Sequence, residues 1–225
     1  MNRLDRIVLA SASPRRRRLL SWLGLPFESA AVDTPESLDS PLASDPGALA
    51  ISLAEEKAKA AIAVGLGRDS LLLTFDTIVV LDGDLLGKPK DRADAYRMLR
   101  SLSGRTHQVV TGCTIFCADL PMSSFSVLTD VQMQTLSESR IESWMAQGEF
   151  MGCAGAYNIE GQVAKVTPFE CYQNVAGLPL CHLYSQIRDL PAKCVPGTPT
   201  PPVSPCDTAL GRQCMLGPSV LEATI

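Results

Sequence analysis

The stretch Leu71-Leu-Leu-Thr-Phe-Asp-Thr-Ile-Val-Val-Leu81 constrains this chain more than any other. Almost every residue in it is apolar or β-branched, so it is the most strand-like segment of the chain. One carboxylate, Asp76, interrupts the run. An ionised carboxylate is costly to bury without a partner, so Asp76 either emerges at a sheet edge or strand break, or serves chemistry. Asp82-Gly83 then supplies a hairpin turn of the favoured type, and counting back across it brings Lys88 to within about one residue of Thr77. Lys88 is therefore expected beside Asp76, either as a cross-strand ion pair or as a cation held for a polyanion.

A second stretch sets up an anion site. Ile7-Val-Leu-Ala10 runs into Ser11-Ala-Ser-Pro-Arg-Arg-Arg-Arg18 and then Leu19, Leu20 and Leu23, the pattern of strand, tight loop and helix start. A helix N-terminus offers backbone N–H groups and the positive end of its dipole. Ser11 and Ser13 add hydroxyls, and an arginine of the run adds a planar fork that fits phosphate oxygens in pairs. Successive helical residues turn by about 100°, so the four arginines do not all face one ligand.

Several short motifs occur in one order. Ser-Ala-Ser-Pro-Arg-Arg at 11–16 is followed by Glu55-Glu-Lys-Ala58, Asp76-Thr-Ile-Val79, Gly87-Lys-Pro89, Leu102-Ser-Gly-Arg105, Val110-Thr-Gly112, Ala154-Gly-Ala-Tyr157 and Asn174-Val-Ala-Gly-Leu-Pro179. The set resembles the Maf family of nucleoside triphosphate pyrophosphatases over roughly residues 5–190. The resemblance implies hydrolysis of a nucleoside triphosphate to the monophosphate and diphosphate, with a divalent cation, Mg²⁺ or Mn²⁺, spreading the triphosphate charge. It implies Asp76 as proton acceptor and metal contact, a phosphate cradle of Ser11, Ser13, Arg15, Arg16, Lys57 and Lys88, and Thr77 and Glu160 as readers of the base. It also implies two lobes around a cleft and often a homodimer.

Two departures qualify the match. Where the family commonly carries V-D-E-T, whose glutamate helps hold the metal, this chain reads Val32-Asp-Thr-Pro-Glu36, so Glu36 or Asp33 stands in for it. The base markers are also split: Arg15 and Thr77 match the branch acting on dTTP and UTP, whereas Glu160, preceded by Cys153-Ala-Gly155, matches the branch acting on 7-methyl-GTP. A carboxylate only accepts hydrogen bonds and suits guanine's N–H donors, while an amide matches uracil or thymine. The alternatives are therefore a 7-methyl-GTP enzyme, or a non-catalytic nucleotide sensor linked to cell division arrest.

Elsewhere, Asp45 and Pro46 open an alanine-rich helix to Gly65, with Lys57 in its apolar stripe. Asp91 caps a helix ending near Gly104, His107 to Ala118 and Ser123 to Leu136 read as strands, and Ser139-Arg-Ile-Glu142 reads as a capping box. His107 reads as structural. Short strands are expected over 27–32 and 162–166, and Gly177-Leu-Pro179 starts a last helix. Phe75 stands where the family usually has a small residue and is expected to narrow the approach to Asp76.

Strands alternating with helices before a strand-rich middle give an α/β fold, a mixed twisted central sheet with flanking helices; the resemblance implies that it is of Maf/ITPase-like type. The resemblance implies that residues 1–190 form the nucleotide pyrophosphatase domain, and 191–225, rich in Pro, Thr, Ser and Gly, is expected to be a disordered tail. The 225-residue chain has a net charge of −4 and 5% aromatics, which argues against a nucleic-acid binder, so the basic cluster suits a small polyanion. No stretch reaches the about eighteen apolar residues of a membrane span, and a cytoplasmic protein is expected. The eight cysteines are expected as mostly free thiols, with Cys113 and Cys117 sharing a strand face in the core.

Overall fold

The computed structural model describes residues 4–223. Strand β1 (Ile7–Leu9) leads into helix α1 (Pro14–Ser21), β2 (Phe27–Ser29), α2 (Pro46–Ala63), β3 (Leu71–Leu81), β4 (Asp84–Leu86), α3 (Arg92–Leu102), β5 (Thr106–Phe116) and β6 (Ser123–Met133). Helix α4 (Glu138–Met145), three 3₁₀ turns between Glu149 and Gly161, β7 (Ala164–Lys165), α5 (Tyr172–Val175), α6 (Leu180–Arg188), α7 (Val203–Leu210) and α8 (Leu216–Glu222) complete it. The strands form one seven-stranded mixed sheet in the order β2-β1-β3-β5-β6-β7, with β4 added beside β3. The fold is the expected α/β class.

Strand β3 is the spine. It pairs antiparallel with β5 along nine residues, from Leu72↔Phe116 to Val80↔Gln108. On its other edge it is shared: β1 pairs in parallel only with Leu71 to Leu73, and β4 pairs only with Val79 to Leu81. Residues 74–78 therefore have no strand on that edge. Strand alternation sends Leu71, Leu73, Phe75 and Val79 into the main core with α1, α3 and α6, and Ile78 and Val80 towards Leu49, Ala50 and Leu53 of α2. Asp76 thus faces α2, while Thr77 faces the opposite side. Helix α2 lies close on the sheet because Gly112 of β5 has no side chain where it meets the Ala50 carbonyl.

Caps explain several boundaries. Asp45 accepts the Ala48 N–H and precedes Pro46, Asp91 accepts the Asp94 N–H, and Ser13 accepts the Arg16 N–H. The cap of α4 is Ser137, which accepts the Arg140 N–H, not Ser139 as expected; the helix starts two residues earlier because Ser137 has the extended backbone a cap needs. The flanking strands are shorter than their sequence signals, Phe27–Ser29 and Ala164–Lys165, since each lies at an outer edge with one neighbour.

The C-terminal segment differs from the expected disordered tail. Residues 191–223 carry a 3₁₀ turn, α7 and α8, and the Thr200 N–H donates to the Leu23 carbonyl at 2.8 Å. Cys194 is fully buried and forms a disulfide with Cys117, closing a separation of 77 residues. Cys117 is therefore half of a cystine, whereas Cys113, four residues before it, is the core thiol expected. Proline and serine content hid this order because short helices buried through cysteines leave little apolar periodicity.

Candidate active site

The unpaired edge of β3 opens into a cleft of about 1040 Å³. It is walled by the β1–α1 loop, residues 31–36, β3, Lys57 of α2, Lys88 and the 149–160 segment. All eleven residues singled out from the sequence line it: Ser11, Ser13, Arg15, Arg16, Asp33, Glu36, Lys57, Asp76, Thr77, Lys88 and Glu160.

The floor is a chain of alternating charges. Lys57 continues the Leu49–Leu53 stripe of α2 and is 9% exposed, so its ammonium has to find acceptors inside the protein. It donates to Asp76 Oδ1 and, at 2.7 Å, to Glu36 Oε1. Lys88 Nζ donates to the same Glu36 oxygen at 2.7 Å. Lys88 thus sits with Glu36 and not with Asp76, as the hairpin count had placed it, because Asp76 faces α2 and Lys57 reaches it first. Burial pushes the Asp76 carboxyl up, against the opposing pull of Lys57. Burial also works to raise Glu36, but Lys57 and Lys88 together override it and hold that carboxyl at about 2. Glu36 is thus joined to Asp76 through their shared Lys57.

Arg16 seals the bare edge of β3. Its Nη1 donates to the Phe75 carbonyl at 3.2 Å, Nε to the Gly177 carbonyl at 2.8 Å and Nη2 to Thr77 Oγ1 at 3.0 Å. Its guanidinium lies over the Phe75 ring, 5.6 Å from the centroid. Phe75 is fully buried beneath it and does not narrow the approach to Asp76 as expected. The relay continues from Thr77 to Thr111 Oγ1 at 3.0 Å, and Thr111 donates to the Asn174 carbonyl at 3.2 Å. The Asn174 amide in turn donates to the carbonyls of Val109 and Val127. The Asn174–Pro179 motif therefore buttresses the sheet under the cleft. Ser11 Oγ accepts from the Ser13 N–H and from Arg16, which leaves its own proton to donate.

Arg15, Arg16 and Arg18 line the cleft and Arg17 does not, the split that helical geometry requires. Arg15 reaches Cys153 Sγ at 3.2 Å. Arg18 was not singled out from the run, yet it pairs with Glu160, Nη1 lying 3.4 Å from Oε2 and Nη2 bonded to Oε1. Glu160 is therefore not the bare carboxylate its sequence position implied. Asn158 and Glu149, hydrogen-bonded at 2.8 Å, also line the wall and carried no sequence signal of their own.

The family model for Maf-like protein matches residues 6–190. The chain belongs to the Maf family. Relatives described as dTTP/UTP pyrophosphatase include one from Porphyromonas gingivalis, 42% identical over 82% of this chain and 94% of its own length. Another, from Geobacter metallireducens, is 42% identical over 84% of this chain and 97% of its own, and one from Xanthomonas euvesicatoria is 39% identical over 78% and 94%. Among solved structures, a nucleoside-triphosphatase described as a dITP/XTP pyrophosphatase from Mycobacterium abscessus covers 64% of this chain and 95% of its own, at 16% identity and a TM-score of 0.36. Among the described residues of this Maf chain, no helix is long and apolar enough to cross a membrane.

Proposed function

We propose that this Maf-family chain is a nucleoside triphosphate pyrophosphatase acting on pyrimidine nucleotides of the dTTP and UTP type. The observation that carries the reading is the Lys88–Glu36–Lys57–Asp76 chain at the floor of a cleft large enough for a nucleotide. In the reaction, water attacks the α-phosphorus, the bond to the α–β bridging oxygen breaks, and diphosphate leaves. Asp76, raised by burial, orients the water and takes its proton. Lys57 then balances the charge around it. Lys88, Arg15, Arg16 and the hydroxyls of Ser11 and Ser13 hold phosphate oxygens, and Thr77 and Glu160 contact the base side.

The donor set fits a divalent cation. Glu36 and Asp76 each direct an oxygen at one point, now taken by Lys57 Nζ, and both are hard oxygen ligands. Among the described residues, no group of three or more His, Cys, Asp or Glu forms a cage. Mg²⁺ is commonly held by one or two carboxylates with substrate phosphates completing the shell, so this pair suits a metal that arrives with the triphosphate. When bound, such a metal spreads the triphosphate charge; Glu36 and Asp76 would hold it. We place the reaction within residues 1–190, with 191–223 as a buttress.

The names of the three relatives support the pyrimidine assignment. Diphosphate release with Mg²⁺ or Mn²⁺ from dTTP, UTP, CTP, GTP and 7-methyl-GTP tests it. Release from dTTP and UTP ahead of the others is expected. Release only from 7-methyl-GTP, or from none, would overturn it.

A further inference from the structure

The ion pair between Arg18 and Glu160 spans the cleft from α1 to the 3₁₀ turn Ile159–Gly161. That turn is a fixed platform. Asn158 Oδ1 accepts the Gly161 N–H at 2.8 Å, Tyr172 donates to the Ile159 carbonyl at 3.3 Å, and the Trp144 ring lies so close under Gly161 that a Cβ there would meet it at 2.5 Å. Arg18 grips the Glu160 carboxylate as a fork, one terminal nitrogen to each oxygen. The side chains are 49% and 38% exposed, and pairs so exposed add little stability. A fork aimed into a binding cleft has another use.

A bare carboxylate presents two acceptors side by side. It suits an edge with two adjacent donors, such as guanine N1–H and N2–H, and repels the carbonyl oxygens that flank uracil or thymine N3–H. With Arg18 in place, the fork occupies one lone pair on each Glu160 oxygen and blocks that two-donor mode. Each terminal arginine nitrogen keeps a second N–H, so the pair together offers an acceptor next to a donor. That composite edge matches N3–H beside a carbonyl.

We propose that Arg18 is a specificity-determining residue which, with Glu160, forms one donor–acceptor edge that selects a uracil- or thymine-type base over guanine. This rests on the pyrophosphatase reading above. The test compares kcat/KM for UTP and GTP in the wild type, Arg18→Ala, and the double variant Arg18→Ala/Glu160→Gln. Loss of Arg18 is expected to lower the UTP:GTP ratio by about tenfold or more, mainly through KM, as one complementary hydrogen bond becomes one repulsion. The double variant is expected to regain the ratio, because an amide carries donor and acceptor in one group.

A ratio unchanged in Arg18→Ala, an equal loss for both nucleotides, or no recovery in the double variant would overturn the proposal. Equilibrium binding of the non-hydrolysable α,β-imido analogues of UTP and GTP to the same proteins reports the ratio independently of turnover. If the pyrophosphatase reading alone fails, diphosphate release is absent while these binding ratios still move.

Discussion

Replacing Lys57 with methionine removes the ammonium that two carboxylates share while keeping an unbranched stem in the α2 stripe. The Lys57 and Asp76 side chains are 11% and 6% exposed, so cleft water replaces little of the lost contact. Deleting one partner of a buried pair leaves the other charge uncompensated, a loss of about 3–5 kcal/mol. Glu36 keeps Lys88, so the deficit belongs to Asp76. The variant's stability should also depend on pH. Burial already raises Asp76, and removing Lys57 raises it further; a carboxyl whose folded pKa lies above its unfolded value stabilises most at low pH and loses that contribution as pH rises. The deficit is therefore expected to be largest near neutral pH and to shrink towards pH 4. Urea unfolding of wild type, Lys57→Met and Lys57→Met/Asp76→Asn measures it, and the double variant should recover most of the loss because no unpaired charge remains. A single variant within about 1 kcal/mol of wild type at pH 7, below the range for a broken buried pair, would refute the reasoning. So would a double variant no better than the single.

Three further outcomes follow from the fold. Burial holds His107, which contacts the Tyr157 hydroxyl at 2.7 Å, down at about 4, so the unfolded chain takes up a proton first as pH falls. Its contribution to stability, up to about 3 kcal/mol, should be lost between roughly pH 6.5 and 4, and His107→Phe should flatten that part of a Tm-against-pH curve. Gly112→Ala sets a methyl against the Ala50 carbonyl and should cost about 3 kcal/mol or more, read as a lowered urea midpoint. Reducing the Cys117–Cys194 disulfide, or replacing both cysteines with serine, frees a long loop and should cost up to about 4 kcal/mol, seen as a lower Tm that added reductant does not change in the serine variant.

Much of the site was legible because its chemistry conflicts with its surroundings. Asp76 in an apolar strand and Lys57 in an apolar helix stripe each called for a partner, and the structure makes them partners of one another. The hairpin count placed Lys88 near Thr77 correctly in sequence, but it could not tell which face of β3 Asp76 occupies, and that face decided its cation. Arg18 was hidden inside a run of four identical residues, whose members differ only in direction around α1. The cystine joining Cys117 to Cys194 was not legible either, since eight cysteines without standard spacings leave the pairing to the tertiary fold. Order in 191–223 was missed for the same reason: its anchors are single hydrogen bonds and buried sulfurs, not a periodic stripe.

The central claim is that Asp76 does the chemistry in this cleft and does not merely balance Lys57. Single-turnover diphosphate release from UTP by Asp76→Asn, alongside nucleotide binding by the same protein, tests it most directly. Binding is expected to persist while release falls by about 10²–10⁴-fold, the scale of a lost general base. Release within a few-fold of wild type, with binding intact, would contradict it.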